Sequence, residues 1–558
     1  MLPKKRWMVS TLIAMMVSSS VAVAQMSSLS ESELEDVSAQ GIQNIYNGGT
    51  TNSQLNNNEA LELRGESQKG AQGMEVVNSS SSAINANQNV ASLVNGSGEL
   101  TQKNCQIAKN GKNAVQTTTN KRTVNGQVND NGAVNLSDQA QMEASASVMV
   151  NAAKSGINEG QNILTVDKSK NLVLRQKNSQ QASNTNALVQ HISSEDTVLR
   201  QSNNNAAIQL NGDAQSKASA LSIDNSASSA KNTGQNILYA TDTENPKLWQ
   251  ENVQNAEHAK TMLEQTVSNG ENTRDQKNNS ASVQANDNAQ NEASGLAITN
   301  TAYSAENIGQ NIMEAKDVTG NIKISQKNTQ NAYNGGGKYE YQSVITAKKA
   351  VNAKNNNAAV QVNGAQNDIS GMAFTNTANS ALNIGQNIAS IENAGNLNFI
   401  DQSNDQHAIN KYNAPQKVVN GSAENGQNNN GAVQINDAQK NLSSLASHNN
   451  ADSAVNSGVN VLDVSGKPTK GSVLTQTNTQ VAENCGTHNQ DVVNNGNIEK
   501  QANNNGKVQL IDAQVGTSSL ILGNTAGSAV NYGLNIANIQ TSTNWSITQT
   551  AVQTATNF

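Results

Sequence analysis

The sequence is dominated by a tandem repeat in which two short motifs follow each other in a fixed order. The first reads Asn-x-Gly-x-Asn and the second Gln-x-Asn-x-Gln-x-Ala. A third anchor, an apolar-x-apolar triplet, begins at Leu61, Val134, Ile208, Val283, Val360, Val433 and Val508, at intervals of 73, 74, 75, 77, 73 and 75 residues. Intervals this regular over seven copies indicate one structural unit stacked repeatedly.

The two motifs supply the side chains that we predict to form an interior self-assembly ladder. In the first motif they are Asn158, Gly160, Asn162, Asn232, Gly234, Asn236, Asn307, Gly309, Asn311, Asn383, Gly385, Asn387, Asn456, Gly458, Asn460, Asn531, Gly533 and Asn535. In the second they are Gln176, Asn178, Gln180, Gln250, Asn252, Gln254, Gln326, Asn328, Gln330, Gln402, Asn404, Gln406, Gln476, Asn478, Gln480, Gln549 and Gln553. Two copies depart from the pattern: Asn87 stands where the others have Gly, and Ala551 stands where the others have Asn.

Composition separates this chain from both ordinary globular and ordinary disordered proteins. Apolar residues make up 35% and charged residues 14%, with only 4 Pro in 558 residues, which is too polar for a common core and too uncharged for an acidic disordered chain. Such a chain is either disordered or stacked into β-structure through amide side chains. The net charge of -7 and the lack of a basic stripe give no reason to expect nucleic acid as a partner.

Alternation within the second motif predicts which face of its strand is buried. From Gln176 to Ala182, recurring residues alternate with variable ones, and successive side chains on a strand point to opposite faces. The variable positions hold polar residues and charges of either sign, so we expect that face to contact water. The recurring Gln-Asn-Gln-Ala face is therefore predicted to point inward.

Buried amides explain why the motif must be repeated. An unpaired buried amide costs a few kcal/mol, but an identical amide about 4.8 Å above and below supplies both a donor and an acceptor. We therefore predict an all-β, tandem-repeat β-solenoid with Asn/Gln ladders. Because about 75 residues is large for one solenoid coil, we expect each unit to make two to four shorter coils.

The chain outside the array is short. Basic Lys4 to Arg6, an apolar run and Ala22-Val23-Ala24 predict a signal peptide over residues 1–24. Residues 25–58 form an N-terminal segment, in which Ser30 and Glu33 make a capping-box pattern for a short helix. Residues 59–558 hold seven repeats starting near 59, 132, 206, 281, 358, 431 and 506. No later stretch has the length of a transmembrane helix, so we expect an exported protein without a transmembrane segment.

Residues that could carry catalysis or bind a metal are scattered. The histidines, His191, His258, His407, His448 and His488, share no repeat position, so we interpret them as solvated surface residues. Asp213, Asp287, Asp437 and Asp512 recur near an Ala-Gln step, where a tight turn is favoured over calcium binding. Cys105 and Cys485 lie in distant copies, which favours free thiols or an intermolecular link. We predict no enzyme activity, no cofactor and no metal site.

The strand pair resembles the repeats of secreted bacterial functional amyloids. In Fap-type fibre subunits of pseudomonads a Gly-Asn-Ile-Gly-Val-Asn-Val-like strand precedes a Gln/Asn-rich strand ending in Ala, and the segments Leu382 to Ile388 and Gln402 to Ala408 are similar. Curli repeats, built on spaced Ser, Gln, Gly, Asn, Ala and Gln, are a more distant likeness. The paired Cys-x-x-Cys of Fap subunits is absent. The resemblance implies export across an outer membrane by a secretion machinery, fibre formation outside the cell and a role in biofilm matrix.

Three functional hypotheses follow. The favoured one is a secreted protein of the bacterial surface or biofilm matrix that self-assembles into extracellular amyloid-like fibres, with itself as partner. Its last copy, Asn531 to Ala555, has a full strand pattern, so an uncapped edge there would be a template for another molecule. The alternative is a monomeric β-solenoid adhesin or surface stalk that binds a ligand on its outer face. A disordered matrix protein is the third.

Overall fold

The computed structural model describes residues 41–557 apart from short gaps, the longest at 512–518, and leaves out the side chains of some strand segments. Within these residues the chain is made of 42 β-strands and contains no helix. Accordingly, no helix of the described chain has the length and apolar character needed to cross a membrane. The predicted signal peptide and short N-terminal helix lie outside the described residues.

The strands form four parallel sheets. Sheet A contains β1 Gly41–Asn47, β2 Thr51–Arg64, β7 Ala114–Asn120, β8 Val124–Ser137, β13 Leu188–Ser194, β14 Val198–Asn211, β19 Met262–Asn269, β20 Thr273–Arg274, β21 Lys277–Asn286, β25 Tyr339–Val351, β26 Lys354–Asn363, β30 Gln416–Glu424, β31 Gln427–Asn436, β36 Gln490–Asn494, β37 Ile498–Glu499 and β38 Ala502–Ile511. Sheet B contains β3 Gln68–Lys69, β4 Gly73–Ser80, β9 Gln141–Met142, β10 Ala146–Ala153, β15 Gln215–Ser216, β16 Ala220–Ala227, β22 Gln290–Ala302, β27 Asn367–Ala378, β32 Lys440–Ala451 and β39 Ser519–Ala526.

Sheets C and D carry the two motifs. Sheet C contains β5 Ala83–Val94, β11 Gly156–Asp167, β17 Ala230–Thr241, β23 Ala305–Lys316, β28 Ala381–Glu392, β33 Ala454–Ser465 and β40 Ala529–Ile539. Sheet D contains β6 Gly98–Asn110, β12 Leu172–Asn184, β18 Lys247–Ala259, β24 Asn321–Gly335, β29 Asn396–Asn410, β34 Thr469–Lys470, β35 Val473–Asn484, β41 Ser542–Thr543 and β42 Ser546–Asn557. The predicted all-β solenoid is confirmed.

Each strand of an inner layer pairs with its equivalents one repeat before and one repeat after. Asn158, for example, lies in register with Asn85 on one side and Asn232 on the other. The anchor triplets pair in the same way, Val134 with both Leu61 and Ile208. One repeat therefore forms one layer, and seven layers are stacked.

The expectation of two to four coils per repeat is wrong. A layer passes through up to six strand positions, for example β13 to β18 in the third layer, and none of the strand pairings joins two strands of one layer. Six short strands joined by reversals accommodate the whole repeat within one layer. The pairing also begins upstream of residue 59, because Gly41–Asn47 is already in register with Ala114–Asn120.

Within each layer of the stack, the strand of sheet C lies between the strands of sheets B and D. In β18 buried side chains alternate with more exposed ones, whereas β17 is buried on both faces over most of its length. One face of β17 meets the inward amides of sheet D, and on the other Lys231 Nζ donates a hydrogen bond to Thr299 Oγ1 of sheet B. The predicted inward orientation of the Gln-Asn-Gln-Ala face is confirmed, since Gln250, Asn252, Gln254 and Ala256 are all buried.

The turn that joins sheet C to sheet D has the same backbone in successive layers. A residue with positive φ recurs there, at Asn95 (56°), Lys168 (47°), Asp242 (49°), Asp317 (53°), Asn393 (56°) and Gly466 (91°). Asn, Asp and Gly adopt this left-handed conformation most readily. Beside this turn, buried apolar side chains of both sheets, including Leu164, Leu174, Leu238 and Leu248, form a continuous core.

The glycine of the first motif is needed for space, which gives a first prediction. A Cβ on Gly309 would lie 2.6 Å from Oδ1 of Asn328 and 3.2 Å from Cβ of Asn252. We expect Gly309→Ala to lower the free energy of unfolding by about 1–3 kcal/mol, because the buried amides must shift. Urea unfolding should show this, with Lys327→Ala on the outer face, expected to change stability by no more than about 0.5 kcal/mol, as control. Equal stability of the two variants would contradict the prediction.

Candidate functional site

Continuous ladders of side-chain amides run through the stack. Along the first motif, Nδ2 of each Asn donates to Oδ1 of the Asn in the next layer, as from Asn232 to Asn307 at 2.9 Å and from Asn236 to Asn311 at 2.9 Å. Along the second, Nε2 of each Gln donates to Oε1 of the Gln in the preceding layer, as from Gln250 to Gln176 at 2.9 Å. The predicted Asn and Gln residues of the two motifs are therefore brought together in columns.

The columns are also tied to each other across the C–D interface. Asn178 Nδ2 donates to Oδ1 of Asn252 in its own column at 2.9 Å and to Oδ1 of Asn236 in sheet C at 3.0 Å. Gln176 Nε2 donates to the backbone carbonyls of Asn162 and Ile237, both at 3.0 Å. A sheet D strand thus bonds to sheet C in its own layer and in the next one, so successive layers are interlocked by side chains as well as by backbone.

The ladders have a direction. Amides of the first motif donate toward the C-terminal end of the stack, and glutamines of the second motif donate toward the N-terminal end. At the last layer, Asn531 and Asn535 therefore turn donors toward the open end, and Gln549 and Gln553 turn carbonyl oxygens toward it. The first layer has the converse set, acceptors on Asn85 and Asn89 and donors on Gln102 and Gln106. The two ends are chemically complementary.

The end layers also expose apolar positions that inner layers bury. Val90 in the first layer is 40% exposed, whereas Ile237 in the same column is 0% exposed. Ile547 in the last layer is 48% exposed, whereas its register partner Leu474 is 0% exposed. In the described chain β40 and β42 each pair on one side only. Among the described residues, β5 and β6 at one end and β40 and β42 at the other therefore present an unpaired strand edge, amides and apolar side chains in the pattern of an interior interface.

Sequence reasoning missed several ladders. Gln161, Gln235, Gln310 and Gln386 form a hydrogen-bonded column on the opposite face of sheet C, at 2.7–2.8 Å. Asn225, Asn300, Asn376, Asn449 and Asn524 form another in sheet B, at 2.8–2.9 Å. Their recurrence at the repeat interval is a usable signal, but the sequence of the first motif does not by itself show that both faces of its strand are buried.

The interpretation of the histidines as solvated surface residues is wrong for His258. Its ring is fully buried in a column that is otherwise Asn, with Nδ1 3.5 Å from Nδ2 of Asn184. The side chain ends the motif strand where the other layers have Asn, so it does occupy a shared repeat position. His191 and His407 are half-buried, and the side chains of His448 and His488 lie outside the described residues.

Two opposite charges are buried in adjoining layers. Lys231 and Glu306 are register partners and both are fully buried, in a column that elsewhere holds residues such as Ile157 and Leu382. The Glu306 carboxylate accepts hydrogen bonds from the hydroxyls of Thr301 and Thr375, each at 2.5 Å. A buried charge requires such partners, so the hydroxyl groups of sheet B complement the charged side chains of sheet C in these layers.

Charges on the outer face of sheet D are also paired between layers. Lys177 lies 2.7 Å from Glu251, and Arg175 lies 2.7 Å from Glu99. Burial raises the pKa of Asp401, while the positive charge of Lys327 acts in the opposite direction. Exposed pairs of this kind contribute little to stability, so the outer face tolerates varied sequence.

The remaining sequence candidates form no centre. Cys105 and Cys485 are free and exposed. Asp213, Asp287, Asp437 and Asp512 lie outside the described residues. In the part of the chain that the structure describes, no three His, Cys, Asp or Glu side chains are grouped as metal ligands would be.

Comparison of the chain with protein-family models, with curated proteins and with solved structures found no match. The likeness to Fap-type and curli-type repeats therefore rests on the residues quoted for it.

The interlayer amides give a second prediction. Oδ1 of Asn328 accepts from Asn252 and Asn311, and its Nδ2 donates to Asn404 at 2.9 Å. Asn328→Leu should cost about 1–3 kcal/mol of unfolding free energy, because buried amide groups lose their partners. It should also speed hydrogen exchange in β23, β24, β28 and β29. Thr329→Ala on the outward face is the control, and an Asn328→Leu protein as stable as this control would show that the ladder contributes nothing.

Proposed function

We propose that this protein is a secreted structural protein that assembles end to end into extracellular amyloid-like fibres. The observation that carries the proposal is that, in the part of the chain that the structure describes, both end layers present an interior interface without its other half. A strand edge with unpaired backbone groups is a template for another strand. The layer that satisfies this edge, its amides and its apolar columns at once is the opposite end of a second copy.

The chemistry of the ends favours polymerisation over closed dimers. The two ends carry different but complementary sets of donors and acceptors, so a contact between unlike ends leaves one end of each kind free. Such a heterologous contact repeats without closing and generates a filament. Parallel pairing between layers continues across the contact with no change of strand direction.

The cellular setting is inferred from the sequence. The basic and apolar start of the chain, with Ala22-Val23-Ala24, is typical of a signal peptide. From this start and the resemblance to bacterial functional amyloids, we propose that the fibre lies at the cell surface or in biofilm matrix, after passage through an outer-membrane secretion machinery. A polymer of this kind needs no catalytic residues, and we propose that it is not an enzyme.

A seeding experiment tests the proposal. Residues 25–558 should show a lag in thioflavin T fluorescence that preformed seeds remove, and electron microscopy should show unbranched fibrils. A 4.8 Å reflection would not decide, because a monomeric solenoid gives that spacing too. A protein that stays monomeric and strand-rich at high concentration would overturn fibre assembly and leave the adhesin or surface stalk.

A pair of end variants makes the test specific. Ile547 lies in a column that is buried in inner layers, whereas Val552 lies on the outward face of the same strand beside Thr479. Ile547→Lys should stop elongation, because it would bury a charge at the junction, and Val552→Lys should elongate like the wild type. Both should keep the circular dichroism spectrum of the wild-type monomer. Equal elongation by the two variants would count against assembly through this end.

A further inference from the structure

Two departures from the repeat lie at opposite ends of the stack and are opposite in sense. Asn87, in β5 of the first layer, stands where six other layers have Gly. Ala551, in β42 of the last layer, stands where six other layers have Asn. One end thus gains a side-chain amide in the C–D interface, and the other end lacks one. Both residues are exposed.

Inside the stack, these two positions are neighbours across a layer boundary. A Cβ on Gly309 would lie 3.2 Å from Cβ of Asn252 in the preceding layer, and a Cβ on Gly234 would lie 3.2 Å from Cβ of Asn178. The nearest atom to either Cβ is Oδ1 of the central Asn in the same layer, at 2.6 Å. Asn87 nonetheless stands beside Asn104 in the first layer, where no described layer precedes it. In inner layers the carboxamide of the preceding central Asn also reaches into this space, as from Asn178 to Asn236 and Asn252 at 3.0 and 2.9 Å.

Resting on the proposed end-to-end assembly, we propose that Asn87 of one copy fills the space left at Ala551 of the copy before it. When the last layer of one molecule precedes the first layer of the next, Ala551 takes the place of the preceding Asn and opens a space of one carboxamide group. Asn87 brings that group. The partner is thus a second copy of this chain, joined head to tail in a defined register.

The direction of the ladders requires the same arrangement. In a head-to-tail junction, the donors of Asn531 and Asn535 face the acceptors of Asn85 and Asn89. The donors of Gln102 and Gln106 likewise face the carbonyl oxygens of Gln549 and Gln553, as in every inner interface. A head-to-head contact with like columns aligned would instead oppose acceptor to acceptor in the Asn columns and donor to donor in the Gln columns, which is unfavourable for buried groups.

The pair formed by Asn87 and Ala551 also selects the register of the junction between two copies. If the first layer of one copy stacked on any inner layer of another, Asn87 would meet the central Asn of that layer, and two amides would compete for one space. Only the last layer, with Ala551, accepts the first. Growth by whole molecules is favoured, and slipped overlap of otherwise similar layers is excluded.

A double-mutant cycle on fibre growth tests this junction. Elongation from matched seeds is measured for the wild type, Asn87→Gly, Ala551→Asn and the double variant. Each single variant should elongate roughly fivefold to hundredfold more slowly, because one leaves amide space unfilled and the other overfills it. The double variant, whose junction has the Gly and Asn of an inner interface, should elongate within about twofold of the wild type.

Coupling between the two positions can arise only between molecules. They lie six layers apart in one chain, about 29 Å at the usual ladder spacing, so their effects on the melting of the monomer should add. Additive losses of elongation in the double variant, or no loss in either single variant, would overturn the head-to-tail pairing while wild-type fibres keep the proposed function. A wild type that forms no fibres would overturn both.

Discussion

The fold depends on a buried amide that is satisfied only by an identical amide one layer away. Water normally solvates Asn and Gln, and removing it costs a few kcal/mol for each unpaired group. Here the columns return those hydrogen bonds, for example at 2.9 Å from Gln176 to Gln102, from Asn178 to Asn252 and from Asn232 to Asn307, so the interior can be polar. The repeat, the in-register parallel pairing and the glycine of the first motif all follow, since each keeps like amides above one another.

This dependence on stacked amides also explains which positions of the repeat vary from layer to layer. Outward positions of sheet D change charge from layer to layer because water solvates them, and cross-layer pairs such as Lys177 with Glu251 form where signs match. The interior tolerates a change only when the neighbouring layer or sheet compensates for it. Lys231 beside Glu306 is such a change, held by groups in the adjoining layer and in sheet B. His258 among asparagines is compensated on one side only, because Oδ1 of Asn334 in the next layer is buried without a hydrogen-bond partner.

The sequence was sufficient to predict the strand type, the inward face and the ladder, because these depend on recurrence and on the two-residue period of a strand. The number of coils was not predictable in the same way. A repeat interval states how far apart equivalent residues are, but not how the chain reverses between them. It therefore does not distinguish six strand positions in one layer from several coils. The column from Gln161 to Gln386 was missed because burial on both faces of sheet C depends on sheet B lying behind it.

Residues of the two end layers are the ones that would distinguish folding of the monomer from its proposed assembly into a fibre. An inner interface within one molecule and a junction between two molecules would use the same columns, so a substitution in an inner layer weakens the monomer and the fibre together. In the proposed fibre, side chains of the end layers whose columns are buried in inner layers, such as Val90 and Ile547, would contribute to assembly without contributing equally to the monomer. Asn87 and Ala551 belong to this class, and they are the two ladder positions at which the chain abandons its own motif. In the proposed fibre, this pair marks where one molecule stops and the next begins.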